Sequence, residues 1–124
     1  REAGLDVIGV SDVTGHPEIF DGRVKSLHPA IHGPLLCRLE KEQDAKGLEE
    51  LGYPMIEIVA CNLYPFSDAA AIKPPLDDLE LLEMVDIGGP TMVRASAKNH
   101  RNVIITYLSF QHSQRGLYRH YSKL

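Results

Sequence analysis

Two cations two residues apart, Arg23 and Lys25, stand beside a hydroxyl in the run Gly22-Arg23-Val24-Lys25-Ser26-Leu27-His28-Pro29. In extended backbone, residues two apart project to the same face, so both charges can close on one anion with Ser26 beside them. The chemistry that fits is a grip on a phosphorylated ligand. Basic pairs in loops also occur as plain solvated charges, and the run by itself does not choose between the two.

Three further clusters carry groups of the right kind: Cys61-Asn62-Leu63-Tyr64-Pro65-Phe66, Asp86-Ile87-Gly88-Gly89-Pro90-Thr91 and Arg94-Ala95-Ser96-Ala97-Lys98-Asn99-His100. Asn62 and Tyr64 follow an apolar run and point the same way if extended, a geometry that Pro65 favours for Tyr64. Ligands of open α/β sheets lie beyond the carboxyl ends of the strands, where these two fall. Tyr64 reads equally as a rim aromatic, and Asn62 as a turn former. Asp86 precedes two glycines and a helix start, so its carboxylate can cap backbone donors while the glycines admit a ligand close to the main chain. Capping alone accounts for Asp86 as well. Lys98, in the last turn of that helix, also complements the negative end of the dipole. His28 and His100 flank the basic motifs, where packing or capping suffices for both.

The elements that must position these groups alternate in type. Val7-Ile8-Gly9-Val10 predicts a short strand, followed by a loop over Ser11-Asp12-Val13-Thr14-Gly15-His16-Pro17. Leu39 to Leu51 predicts a largely solvated helix, with Leu48 and Leu51 turned inward and Gly52 ending it. Ile56 to Leu63 predicts a strand buried on both faces of a parallel sheet. After the break at Lys73-Pro74-Pro75, Leu76, Leu79, Leu82 and Val85 recur at helical spacing. Pro90 suits the first turn of a further helix that stops near Asn99, and Arg101 to Tyr107 supplies another strand. Alternating strands and helices describe an open α/β sheet.

Composition narrows the function classes. A length of 124 residues suits one domain, and 13 basic against 17 acidic residues, a net charge of -4, disfavours nucleic acid or an anionic membrane as the main partner. No apolar run reaches the roughly 18 residues of a membrane span, so a soluble, cytoplasmic protein is expected. Cys37 and Cys61 have no metal-type spacing, the six histidines form no zinc motif, and neither metal nor disulfide is expected.

In this order and spacing the four clusters resemble the inosine monophosphate (IMP) cyclohydrolase domain of a bifunctional purine-biosynthesis family, whose other domain is an aminoimidazole-carboxamide ribotide formyltransferase. The resemblance runs from Arg1 to about Ile105. It implies an α/β, methylglyoxal-synthase-like three-layer fold with a mostly parallel sheet. It also implies a reaction, ring closure of formylaminoimidazole-carboxamide ribotide to IMP with loss of water, without a cofactor. Carried over by position, Lys25, Tyr64, Asp86 and Lys98 coincide with the family's catalytic set, and Arg23, Lys25 and Ser26 with part of its phosphate grip. Backbone donors near Asn62 and Gly88 would complete an oxyanion pocket, and the family likeness suggests a homodimer.

The sequence departs from the family in several places. Ser26 stands where threonine is common, and Pro34 where a small or flexible residue is usual. The family's opening strand, phosphate-binding loop, helix and second strand precede the segment that matches Arg1, so residues 1–124 are expected to form a partial domain, incomplete at the N-terminus, with an uncovered sheet face. After Ile105 the match falters, and Gly116 to Lys123 looks like the family's end-of-domain segment brought forward. Two other readings therefore stand beside the enzyme: a noncatalytic nucleotide-binding or regulatory module, and an inactive remnant that pairs with full-length subunits.

Overall fold

The computed structural model describes residues 4–106 of the 124. Along them run α1 (Val10–Thr14), α2 (Pro29–Leu36), α3 (Glu42–Glu50), β1 (Ile58–Ala60), α4 (Phe66–Ala70), α5 (Asp78–Leu82), α6 (Gly88–Lys98) and β2 (Ile104–Thr106). β1 and β2 pair in parallel, with Ile58 opposite Ile104, Val59 opposite Ile105 and Ala60 opposite Thr106. A parallel pair needs a long crossover, and α4, α5 and α6 supply it, which makes the fold α/β.

The sheet is covered by helices on one side. Val59, Cys61 and Val103 pack with Ile31 and Leu35 of α2 and Ala95 of α6 into one buried cluster, flanked by Met92, Val93, Val10 and Val13. The opposite face, with Ile58 61% and Ile104 63% exposed, is open. The expected burial of the apolar run on both faces is thus realised on one, since two strands with α2 and α6 on a single side leave every second residue to solvent.

α2 has no counterpart in the sequence reading, yet it holds the core. Pro29 occupies the first turn, where its missing donor costs nothing, and His28 Nδ1 accepts from Ala30 N–H at 3.1 Å as the cap. That bond requires the Nδ1 position of His28 to be unprotonated. Ile31 and Leu35, four apart, point into the core, and Leu35 is fully buried. At the other end Asn99, itself buried, donates through Nδ2 to Leu35 O at 3.1 Å and Cys37 O at 2.7 Å. One amide therefore ties the end of α6 to carbonyls left over at the end of α2.

Several boundaries differ from the sequence pattern. The strand expected at Val7–Val10 is absent: Val10 opens α1, Gly9 N–H donates to Asp12 Oδ2 at 3.0 Å, and Leu5, Val7 and Ile8 are exposed. A strand needs a ladder partner, which residues 5–9 lack among the described residues, so the local cap prevails. α3 forms as expected and ends at Gly52, whose φ of 66° suits glycine. Of its two inward leucines, Leu48 is half-buried and Leu51 exposed. The helix anticipated from Leu76 to Val85 contracts to α5, set by a box in which Glu80 N–H donates to Asp77 Oδ1 at 2.8 Å and Asp77 N–H to Glu80 Oε2 at 3.2 Å. Leu79, Leu82 and Val85 face solvent. Tyr107 and the segment from Gly116 to Lys123 lie outside the described residues.

Candidate functional site

The basic run sits on a small hairpin. Ile19 and Val24 exchange backbone bonds of 3.2 and 3.3 Å around Phe20-Asp21-Gly22-Arg23, and Gly22 at φ 87° accepts the left-handed turn that its two predecessors share. Each cation meets a different carboxylate. Arg23 forks onto Glu83, just past α5, with Nε to Oε2 at 3.3 Å and a second contact between Nη2 and Oε1. Lys25 Nζ lies 2.6 Å from Glu18 Oε2 on the other arm of the hairpin. All four side chains are solvent-exposed, and the bond to Glu83 together with its charge holds the Arg23 proton more firmly than usual.

From Lys25 the chain runs through Ser26 to the start of α6. A Cβ placed on Gly88 would come within 2.6 Å of Ser26 Oγ, so the hydroxyl rests against bare backbone. One residue on, the Gly89 N–H donates to Asp86 Oδ1 at 2.9 Å, which realises the capping role read from the sequence. A Cβ on Gly89 would collide with the Asp86 carboxylate and lie 2.8 Å from Leu63 Cδ2. A methyl at either glycine would thus require neighbouring side chains to move. Asp86 also lies close enough to Cys61 for its charge to push the thiol upward, after the larger effect of burial.

These contacts bring Ser26, Asp86, Gly88 and Gly89 together with Cys61 and Leu63, beyond the carboxyl end of β1. Asn62 and Tyr64 flank Leu63 and are exposed, Tyr64 by 46%, and a bond of 2.9 Å from Phe66 N–H to Tyr64 O turns the chain into α4. Lys98 stands elsewhere. It occupies the last turn of α6, ten residues from Gly88, which is about 15 Å along the axis. Lys98 and Arg94, four apart, are both exposed on one side of α6.

Sequence reasoning missed Glu18 and Glu83 as neighbours of the site, and took Cys61 and Leu63 only as members of the cluster around Asn62 and Tyr64. Nothing local in the chain announces a pairing such as Arg23 with Glu83, sixty residues apart. His28 and Asn99 prove to be structural, one as a helix cap and one as the tie between α2 and α6. Among the described residues no group of histidine, cysteine and carboxylate side chains is placed to hold a metal ion, and no helix is long and apolar enough to cross a membrane.

No family model matches the chain. The "Bifunctional purine biosynthesis protein PurH" of Bacillus cytotoxicus is 51% identical over 105 residues, 85% of this chain and 20% of the relative. The proteins of that name from Bacillus mycoides and Bacillus cereus are each 52% identical over the same length and shares. Over those 105 residues the chain is similar to PurH. Among solved structures, the crystal structure of ForH superposes with a TM-score of 0.66 at 35% identity, covering 85% of this chain and 53% of ForH. The chain spans about a fifth of the length of the curated relatives it matches.

Proposed function

We propose that this PurH-like chain carries the IMP cyclohydrolase function, closing formylaminoimidazole-carboxamide ribotide to IMP in purine biosynthesis. The observation that carries the reading is the meeting of Ser26, Asp86 and Gly88 at the carboxyl end of β1, with the Arg23 and Lys25 hairpin leading into it. The similarity to PurH supports a purine ribotide as the ligand.

The chemistry sets the demands. The carboxamide nitrogen attacks the formyl carbon, a C–N bond forms, and the formyl oxygen gains a proton to give a carbinolamine. That hydroxyl then leaves as water while the ring nitrogen keeps its bond and gives up its proton. The nucleophile is weak, so the site has to orient the amide, stabilise the developing oxyanion and supply an acid for the departing water. In the proposed arrangement Arg23, Lys25 and Ser26 take the phosphate, Lys25 and Tyr64 orient and activate the carboxamide, and Asp86 works at the formyl group. Backbone near Asn62 and Gly88 contributes oxyanion donors. Lys98 assists water loss, and its distance from Gly88 requires the ribotide to lie along α6 to touch both ends of the set. No step calls for a redox or metal cofactor. In this reading the protein works in the cytoplasm and, as its family likeness suggests, as a dimer.

A second reading, a noncatalytic ribotide-binding module, draws on one observation: Lys98 makes no described contact with Asp86, whereas the basic hairpin is intact. An absorbance assay for IMP formation, run with calorimetric titration of IMP, separates the two. Turnover supports the cyclohydrolase, binding without turnover supports the module, and neither would overturn both.

A further inference from the structure

The two cations offered to the ligand are engaged by the protein itself. Arg23 presents a planar fork to Glu83, through Nε at 3.3 Å and through Nη2, and guanidinium binds phosphate with the same two-pronged geometry. A carboxylate and a phosphate therefore compete for one set of donors. Lys25 is held likewise, 2.6 Å from Glu18. The Glu18 carboxylate also lies over the turn, 2.6 Å from where a Cβ on Gly22 would stand, and Gly22 itself is called for by its φ of 87°.

From this geometry we infer that Glu83 and Glu18 are internal counter-anions that a ligand phosphate must displace from Arg23 and Lys25, so that they lower the affinity of the site. The inference rests on the phosphate-grip part of the proposed function and extends it. Glu83 follows directly on α5, whose capping box and neighbour α4 otherwise hold it. Phosphate arriving at Arg23 thus releases the tether between the hairpin and the end of α5, and by reciprocity a tightly docked α5 weakens phosphate binding. All four groups are exposed, so the competition is modest in size and falls as salt rises.

The test is calorimetric titration with inorganic phosphate and with IMP at low ionic strength, for the unaltered chain, Glu83→Gln, Glu18→Gln and a control, Glu49→Gln on α3. Each of the first two is expected to tighten binding by about two- to fivefold, the control not at all, with the gain shrinking in high salt. Unchanged or weaker binding in Glu83→Gln, or equal tightening in Glu49→Gln, would overturn the inference. A second measurement needs no variant: adding phosphate to the unaltered chain should shift the Arg23 Nε–H resonance as the bond to Glu83 breaks, and a resonance that stays put would also overturn it. Tightened phosphate binding in a chain that makes no IMP upholds the inference while the cyclohydrolase reading fails. IMP formation with phosphate affinity unmoved by the variants does the reverse.

Discussion

Asp86 does two jobs within a few ångströms. Its Oδ1 takes the Gly89 N–H at 2.9 Å, while its charge reaches the Cys61 thiol and the mouth of the site. Asp86→Asn keeps an acceptor for Gly89 and removes the charge, so it should lower turnover by about 100-fold or more while thermal stability stays close to that of the parent. Steady-state rates and a melting curve measured together check this. Gly88→Ala makes a complementary case, because its methyl would need to displace Ser26 Oγ from 2.6 Å. Weaker IMP binding on a folded protein is the expected result, read by calorimetry. At this scale the residue types were legible and their partners were not. Two cations beside a serine announce an anion, but the carboxylates that cover them come from the far arm of a hairpin and from sixty residues downstream.

At the scale of elements, α2 and α3 are set by single polar groups. The Asn99 amide serves two carbonyls near the end of α2, so Asn99→Ala leaves buried acceptors unsatisfied and should cost about 1–3 kcal/mol, read from the midpoint of urea unfolding. The start of α3 is pinned by Asp44, which accepts from Arg38 Nε at 2.6 Å and Nη2 at 3.0 Å. That bonding holds the Asp44 carboxyl below its ordinary value of 3.8. A depressed carboxyl stabilises the fold above its unfolded pKa, and the contribution disappears as pH falls through the folded value. Protection of the α3 amides, taken relative to their intrinsic exchange rates, should therefore fall below about pH 4, and Asp44→Asn should reduce that dependence. α2 escaped sequence reading because Pro34 sits inside it and its apolar residues form no clear stripe. α6 was legible from Gly-Gly-Pro at its start and Asn99 at its end.

At the scale of the whole molecule, the described residues set a helical layer against two parallel strands and concentrate stability in a small cluster around Leu35. Leu35→Ala should cost about 2–5 kcal/mol, a large share of the total for a domain of this size, and denaturant titration would show it. The α/β class was legible because apolar β-branched runs alternate with helical segments. The one-sided sheet was not, since the run from Ile56 reads the same whether one face or both are covered, and only the tertiary layers decide which. Val7–Val10 misled for a related reason: a strand pattern has meaning only when a neighbour is present to complete the ladder.

The proposed ring closure of a purine ribotide takes place where Ser26, Asp86 and Gly88 meet. Initial rates of IMP formation from formylaminoimidazole-carboxamide ribotide, followed by absorbance for the parent chain beside Asp86→Asn and Lys98→Ala, address it most directly. Turnover by the parent and a loss of about 100-fold or more in each variant are expected. No IMP from the folded parent, or variants that keep its rate, would contradict it.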